Sequence, residues 1–274
     1  MARMKIEDQQ IVFIGAGNMA TAIIEGLLAR GFSCSNIWAS DPDSNKLKSL
    51  ATRHGINTTE LNTEAVKHAD CLILAVKPQV LQEVLEPLQS ELKSKLPLII
   101  SIAAGISLKT LEKSSAPDQA IIRCMPNTPA LVQAGAAALF ANAACSDSDK
   151  LTAQSILEAV GTVCWLDKEK DMDAVTALSG SGPAYFFLFI EALREAAITE
   201  GLKPELADAL VKQTALGAAQ LALASDVNVS ELRKRVTSPG GTTEAALAQL
   251  EKDDFKAIIA RAVNQAKRRS EELA

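Results

Sequence analysis

Histidine is nearly missing from this chain, its cysteines are scattered, and it has neither a basic field nor a long apolar run. The 274 residues hold only His54 and His68, and the five cysteines (Cys34, Cys71, Cys124, Cys145, Cys164) form no C-x-x-C pair. Zinc and other soft metals need such ligands at close spacing, so no metal site is expected. A Ser-His-Asp hydrolase is disfavoured as well. The run Ser179-Gly180-Ser181-Gly182 lacks the glycine two places before the central serine that a nucleophile elbow requires. Unpaired, separated cysteines fit reduced thiols and a cytoplasmic setting. A formal net charge of −5 leaves no field to attract nucleic acid or an anionic membrane. Lys267-Arg268-Arg269 is offset at once by Glu271 and Glu272. Residues 1–10 are charged and polar, and no signal peptide is expected there. No apolar stretch reaches the roughly 18 residues of a bilayer span.

What the chain does have is a change of character. Up to Leu166, short apolar runs alternate with amphipathic helical segments: Ile11–Ile14, Ile37–Ala39, Leu72–Val76, Leu98–Ile102 and Ala120–Cys124. Continuous apolar strands alternating with helices indicate a parallel sheet covered on both faces, a doubly wound α/β arrangement of Rossmann type. Runs at 136–140 and 163–166 extend it around a helix beginning near Ser146. After Asp167 the strands stop, and an all-α half rich in Ala and Leu follows. The expected domains are therefore 1–166, binding a nucleotide, and 167–274, helical. The stretch 215–224 is apolar around almost its whole circumference. Such a helix must be covered on all sides, and subunit association is preferred here to burial against the first domain.

The pattern G-x-G-x-x-A, Gly15-Ala16-Gly17-Asn18-Met19-Ala20, directly follows a strand and opens a helix. In that context the first glycine permits a tight turn, the second lets backbone approach a pyrophosphate, and Ala20 lets helix and strand pack closely. The diphosphate would rest on amide N–H groups at the positive end of the helix. At the end of the second strand, where the ribose is read, stand Ser40 and Asp41. A carboxylate favours the free hydroxyl of NAD, whereas a hydroxyl with nearby cations accepts the phosphate of NADP, so chemistry alone leaves the cofactor open. Ala75-Val76-Lys77-Pro78 closes another strand at the same edge and should line the crevice, although Lys77 could be an ordinary solvated lysine. Ser101-Ile102-Ala103-Ala104-Gly105 ends the next strand with small residues and leaves room for a flat ring; close helix packing would explain it nearly as well.

In the helical half, Ser179 to Pro183 precedes a helix, with Pro183 suited to its first position. Ser238-Pro239-Gly240-Gly241-Thr242-Thr243 opens another. Its paired glycines and hydroxyls create a nest of N–H donors that suits a small carboxylate without an arginine; a glycine hinge with a threonine cap is the competing reading.

Taken together, Ile14 to Met19, Ala75 to Pro78, Arg123-Cys124-Met125-Pro126-Asn127-Thr128-Pro129, Leu178 to Tyr185 and Ser238 to Thr243 resemble the pyrroline-5-carboxylate reductase family over essentially the whole chain. The resemblance implies reduction of 1-pyrroline-5-carboxylate to L-proline, the last step of proline biosynthesis, by a nicotinamide cofactor, with NADP(H) preferred and NAD(H) possible. It implies that Ile14, Gly15, Ala16, Gly17, Asn18, Met19, Ser40, Asn62, Ala75, Val76, Lys77, Pro78 and Ala104 bind the cofactor. Ser238, Gly240, Gly241, Thr242 and Thr243 would hold the substrate: backbone amides take its carboxylate, and the Thr243 hydroxyl, the catalytic assignment, contacts the ring nitrogen. Glu169 falls near a further family contact. The implied partner is a second copy, the helices intertwining in a dimer and dimers forming a decamer. A β-hydroxyacid dehydrogenase is the nearest rival. Its alcohol oxidation needs a general base, and the turn at 183–189 carries no lysine. A nicotinamide-binding sensor without turnover is the rival of another class.

Overall fold

The computed structural model describes residues 8–273. Eight strands form one sheet in the order β3-β2-β1-β4-β5-β6-β7-β8. They are β1 (Ile11–Ile14), β2 (Ile37–Ser40), β3 (Asn57–Thr59), β4 (Cys71–Leu74), β5 (Leu98–Ser101), β6 (Ile121–Met125), β7 (Gly135–Ala141) and β8 (Gly161–Trp165). Helices α1 (Asn18–Ala29), α2 (Ser44–His54), α3 (Asn62–Val66), α4 (Leu81–Leu85), α5 (Gln89–Lys95), α6 (Leu108–Lys113) and α7 (Asp147–Glu158) connect them. The central strands are apolar on both faces because both faces are covered. Along β1, Ile11 and Phe13 enter one core while Val12 and Ile14 enter the other.

The chain moves from β1 to β2 and β3 on one side, then crosses back to place β4 on the other side of β1. That reversal makes a switch point between β1 and β4, and a crevice forms where their carboxyl ends part. Local signals set the helix ends. Asp43 accepts from the N–H groups of Asn45 and Lys46 at the start of α2, and Ser146 with Asp149 forms a capping box on α7. Gly26 on α1 is a packing glycine, since an added Cβ would stand 2.5 Å from the carbonyl oxygen of Ala159.

Two features depart from the sequence reading. The edge strand β3 is polar and carries no apolar run, yet it pairs with β2 from Trp38↔Asn57 to Ser40↔Thr59. The sheet is also not wholly parallel: β7 runs antiparallel to β6, and β8 parallel to β7. The link at 126–134 is too short for a parallel crossover and turns the chain back instead.

Two compact units emerge. The first runs to Ser181 and takes in the chain again from Ala266. It includes α8 (Met172–Val175) and a π-helical turn, Thr176–Gly180. The second, Gly182–Gln265, holds α9 (Gly182–Thr199), α10 (Pro204–Ala224), α11 (Val229–Arg235), α12 (Thr242–Lys252) and the start of α13 (Phe255–Leu273). Within it α9 packs on α10, and the rings of Phe189 and Phe255 lie 6.2 Å apart. Its apolar side chains are widely uncovered: Phe186, Phe187 and Leu223 are 71%, 64% and 88% exposed. No helix among the described residues is long and apolar enough to cross a membrane.

Candidate active site

The loop after β1 is built around Gly15. Its φ of +98° lies in the left-handed region, and a Cβ there would meet the Ala75 carbonyl oxygen at 2.6 Å. Only glycine lets the β1 and β4 ends approach this closely. Gly17, which caps α1, differs: an added Cβ would find nothing within 4 Å. Its missing side chain clears space outside the protein, and the cap has no side-chain acceptor for the first N–H groups of α1. Backbone donors at the positive end of a twelve-residue helix, with open space before them, suit an anionic phosphate. Asn18 is exposed, Met19 packs partly against the core, and Ile14 is buried in β1.

Asp41 is tied into the loop. One carboxylate oxygen accepts from the Ala16 N–H at 2.9 Å; the other accepts from the Asp43 N–H at 2.9 Å and lies 3.4 Å from Lys46 Nζ. Burial alone would raise its pKa, but these donors outweigh it and hold the carboxyl below its usual range. Asp41 is only 7% exposed. It braces the loop after β1, and its oxygens are engaged with the chain's own donors. Beside it the Ser40 hydroxyl donates to Asn62 Oδ1 at 2.7 Å, so two residues proposed for the adenosine side meet at the start of α3.

Ala75 follows β4 at the switch point, where its N–H donates to the Ile14 carbonyl at 2.8 Å. Val76 is half-buried, Lys77 is exposed, and Pro78 begins a short 3-10 turn. Pro78 and Ala104 line one cavity of about 460 Å³.

The motif Arg123 to Pro129 had no assigned role in the sequence reading, and the structure supplies one. Buried Arg123 on β6 pairs with Glu169, which also accepts from the Leu108 N–H at 2.7 Å. Asn127 accepts from the Ala136 N–H at 2.8 Å and donates to the Ser179 carbonyl at 3.0 Å. The motif thus fastens the serine-glycine turn to the sheet. Its polar residues were the available signal, but their partners lie up to 52 residues away. The buried thiols of Cys71 and Cys124 and the half-buried thiol of Cys145 are poor nucleophiles, since burial pushes the first two well above the usual thiol range and Cys145 to about 11. Among the described residues no group of three His, Cys, Asp or Glu could hold a metal.

The second glycine loop belongs to the helical unit. Gly240 takes φ +71°, and Gly241 caps α12 without a side-chain acceptor. The Gly240 N–H donates to Glu244 Oε2 at 2.7 Å and the Gly241 N–H to the Ser238 carbonyl at 3.0 Å. Thr242 is exposed and Thr243 half-buried at the start of the helix. The Gly15 and Gly241 loops belong to different compact units.

A strand, a glycine loop and a helix at a topological switch point define the dinucleotide-binding class of oxidoreductase folds, and residues 10–105 match the family model described as NADP oxidoreductase, coenzyme F420-dependent. Residues 169–273 match the model for pyrroline-5-carboxylate reductase dimerisation. A pyrroline-5-carboxylate reductase of Pseudomonas aeruginosa is 49% identical over 265 residues, covering 97% of each chain. The structure of a pyrroline-5-carboxylate reductase from Coxiella burnetii superposes with a TM-score of 0.94 at 42% identity, covering 97% of this chain and 98% of that one. That of the Plasmodium falciparum pyrroline carboxylate reductase with NADP bound gives 0.86 at 34% identity, covering 98% and 99%. The chain belongs to the pyrroline-5-carboxylate reductase family.

Proposed function

We propose that this protein reduces 1-pyrroline-5-carboxylate to L-proline, the final step of proline biosynthesis, with a reduced nicotinamide dinucleotide. The observation that carries the reading is the full-length likeness to reductases of that name, which includes both glycine loops. Bound at the switch point, the dinucleotide supplies hydride. Ile14 through Met19 hold its diphosphate, Ser40 and Asn62 its adenosine side, and Ala75 to Pro78 with Ala104 its nicotinamide side. The relative solved with NADP bound supports NADP(H) as the preferred cofactor, with NAD(H) accepted.

On the substrate side, the loop Ser238, Gly240, Gly241, Thr242 and Thr243 holds the carboxylate on the backbone amides of Gly240 to Thr243. Glu244 must release the Gly240 N–H before that donor can serve. The Thr243 hydroxyl orients the ring nitrogen. Water can protonate the imine before binding, so the chain needs no strong general acid, and positioning is the catalytic effect it supplies. We assign nucleotide binding to residues 1–166 and substrate binding with dimerisation to 167–274. The uncovered Phe186, Phe187 and Leu223 support self-association; the assembly proposed is a dimer, with dimers forming a decamer. Five unpaired thiols suit a reducing cytoplasm. Steady-state rates with pyrroline-5-carboxylate and either NADPH or NADH test the reading. Turnover with NADPH favoured is expected; intact cofactor binding with no turnover would overturn it in favour of a sensor.

A further inference from the structure

The last two turns of α13 leave the helical unit and pack on the nucleotide-binding unit, and nothing in the proposed chemistry uses them. They form one side of the cavity of about 460 Å³ that Pro78 and Ala104 also line, contributing Arg269, Ser270 and Leu273. Two contacts fix them there. The Ser270 hydroxyl donates to Asp173 Oδ1 on α8 at 2.7 Å, and Ser270 is only 6% exposed although its helix is largely solvated. A Cβ on Gly105 would lie 3.3 Å from the Leu273 carbonyl oxygen, so the end of the helix seats against the turn that follows β5.

We infer that this C-terminal segment is a wall of the nicotinamide end of the cofactor site, and that Ser270, through Asp173, is a positioning residue that holds the wall in place. The inference rests on the reductase reading, because it takes the cavity beside Pro78 and Ala104 as the place of the ring. The chemistry suits a flat aromatic amide. Pro78, Ala104 and Leu273 offer apolar surface, and Arg269, whose guanidinium pairs with Glu272 at 2.8 Å, lines the same cavity. A wall carried on a helix end must be latched, since terminal turns fray and a loose wall would not exclude water from the ring. The Ser270–Asp173 bond, buried on its serine side, is that latch.

The test uses the full chain with four substitutions: Ser270→Ala, Asp173→Ala, Asp173→Asn and Leu273→Asp. Losing the latch should raise the KM for NADPH about threefold to tenfold, the worth of one hydrogen bond, with kcat and the KM for pyrroline-5-carboxylate within about twofold. Asp173→Asn keeps an acceptor oxygen and should stay near the wild type. The double alanine variant should be no worse than either single one, because both remove the same bond. Leu273 is exposed, so Leu273→Asp keeps the fold and should raise the KM for NADPH by placing a charge in the cavity. An unchanged NADPH KM in folded Ser270→Ala and Leu273→Asp, with the wild type active, overturns the wall while leaving the reductase reading intact. A fall in apparent kcat that tracks the folded fraction, with both KM values unchanged, also overturns it, showing a purely structural bond. A wild type that binds no dinucleotide sinks both.

Discussion

The two units treat their apolar residues in opposite ways. In the first, β1, β4 and β5 are buried on both faces, and their side chains enter two closed cores within one chain. In the second, phenylalanines of α9 and leucines of α10 lie open. Apolar surface left in water costs about 25 cal/mol per Å², so a face this extensive needs a cover. The first unit is complete as one chain folds it. The second is built to be completed by another copy.

That difference can be broken from either side. The largest effect is expected from Leu74→Ala, which opens a cavity in the closed core and should cost about 2–5 kcal/mol in denaturant unfolding, independent of protein concentration. Phe187→Ala should act through association instead. Loss of a buried aromatic anchor costs about 2–4 kcal/mol, which weakens self-association about 30-fold to 1000-fold. Sedimentation would show dissociation at dilutions where the wild type stays assembled; unchanged assembly would place the interface elsewhere.

The two glycine loops sharpen the contrast at smaller scale. Gly17→Val puts a side chain into the open space before α1 and should weaken NADPH binding about tenfold or more, near 1.4 kcal/mol, with the fold intact. Thr243→Ala should lower turnover by a similar factor and leave NADPH affinity unchanged. Calorimetric titration with NADPH separates the two, and equal loss of cofactor affinity in both variants would refute the assignment of the second loop to substrate.

The smallest effect concerns Asp41, the brace of the first loop. Asp41→Asn keeps one acceptor oxygen, sets an amide donor against the other backbone N–H and should cost about 1 kcal/mol at pH 7. The sign with pH follows from the lowered pKa. The stabilisation is fully present above the usual value of 3.8 and is lost as pH falls through the folded-state value. Wild type and variant should therefore converge in melting temperature below about pH 4.

Much of this was legible in the residues. Ile11–Ile14 followed by Gly15-Ala16-Gly17 announces a strand, a turn and a helix because those patterns are local: apolar runs fix burial, and glycine alone takes the dihedrals. The loop Ser238 to Thr243 is legible for the same reason. The strand at 57–59 was not, since an edge strand in a parallel sheet gains its order from the neighbour and needs no apolar pattern of its own. Nor was the latch, because Ser270 and Asp173 lie 97 residues apart.

By itself the sequence determined the alternating first half, the helical second half, the two glycine loops and the family resemblance, all carried by short-range periodicity and motif. Only the tertiary structure decided what Asp41 does. Its position after the second strand offered a ribose-reading carboxylate. Packing turned the side chain inward instead, onto the Ala16 N–H 25 residues earlier. The same holds for Arg123 with Glu169, for the reversal of β7 and for the docking of the last helix. A side chain's partner is chosen by which segments fold against one another, and the spacing of residues along the chain does not encode that choice.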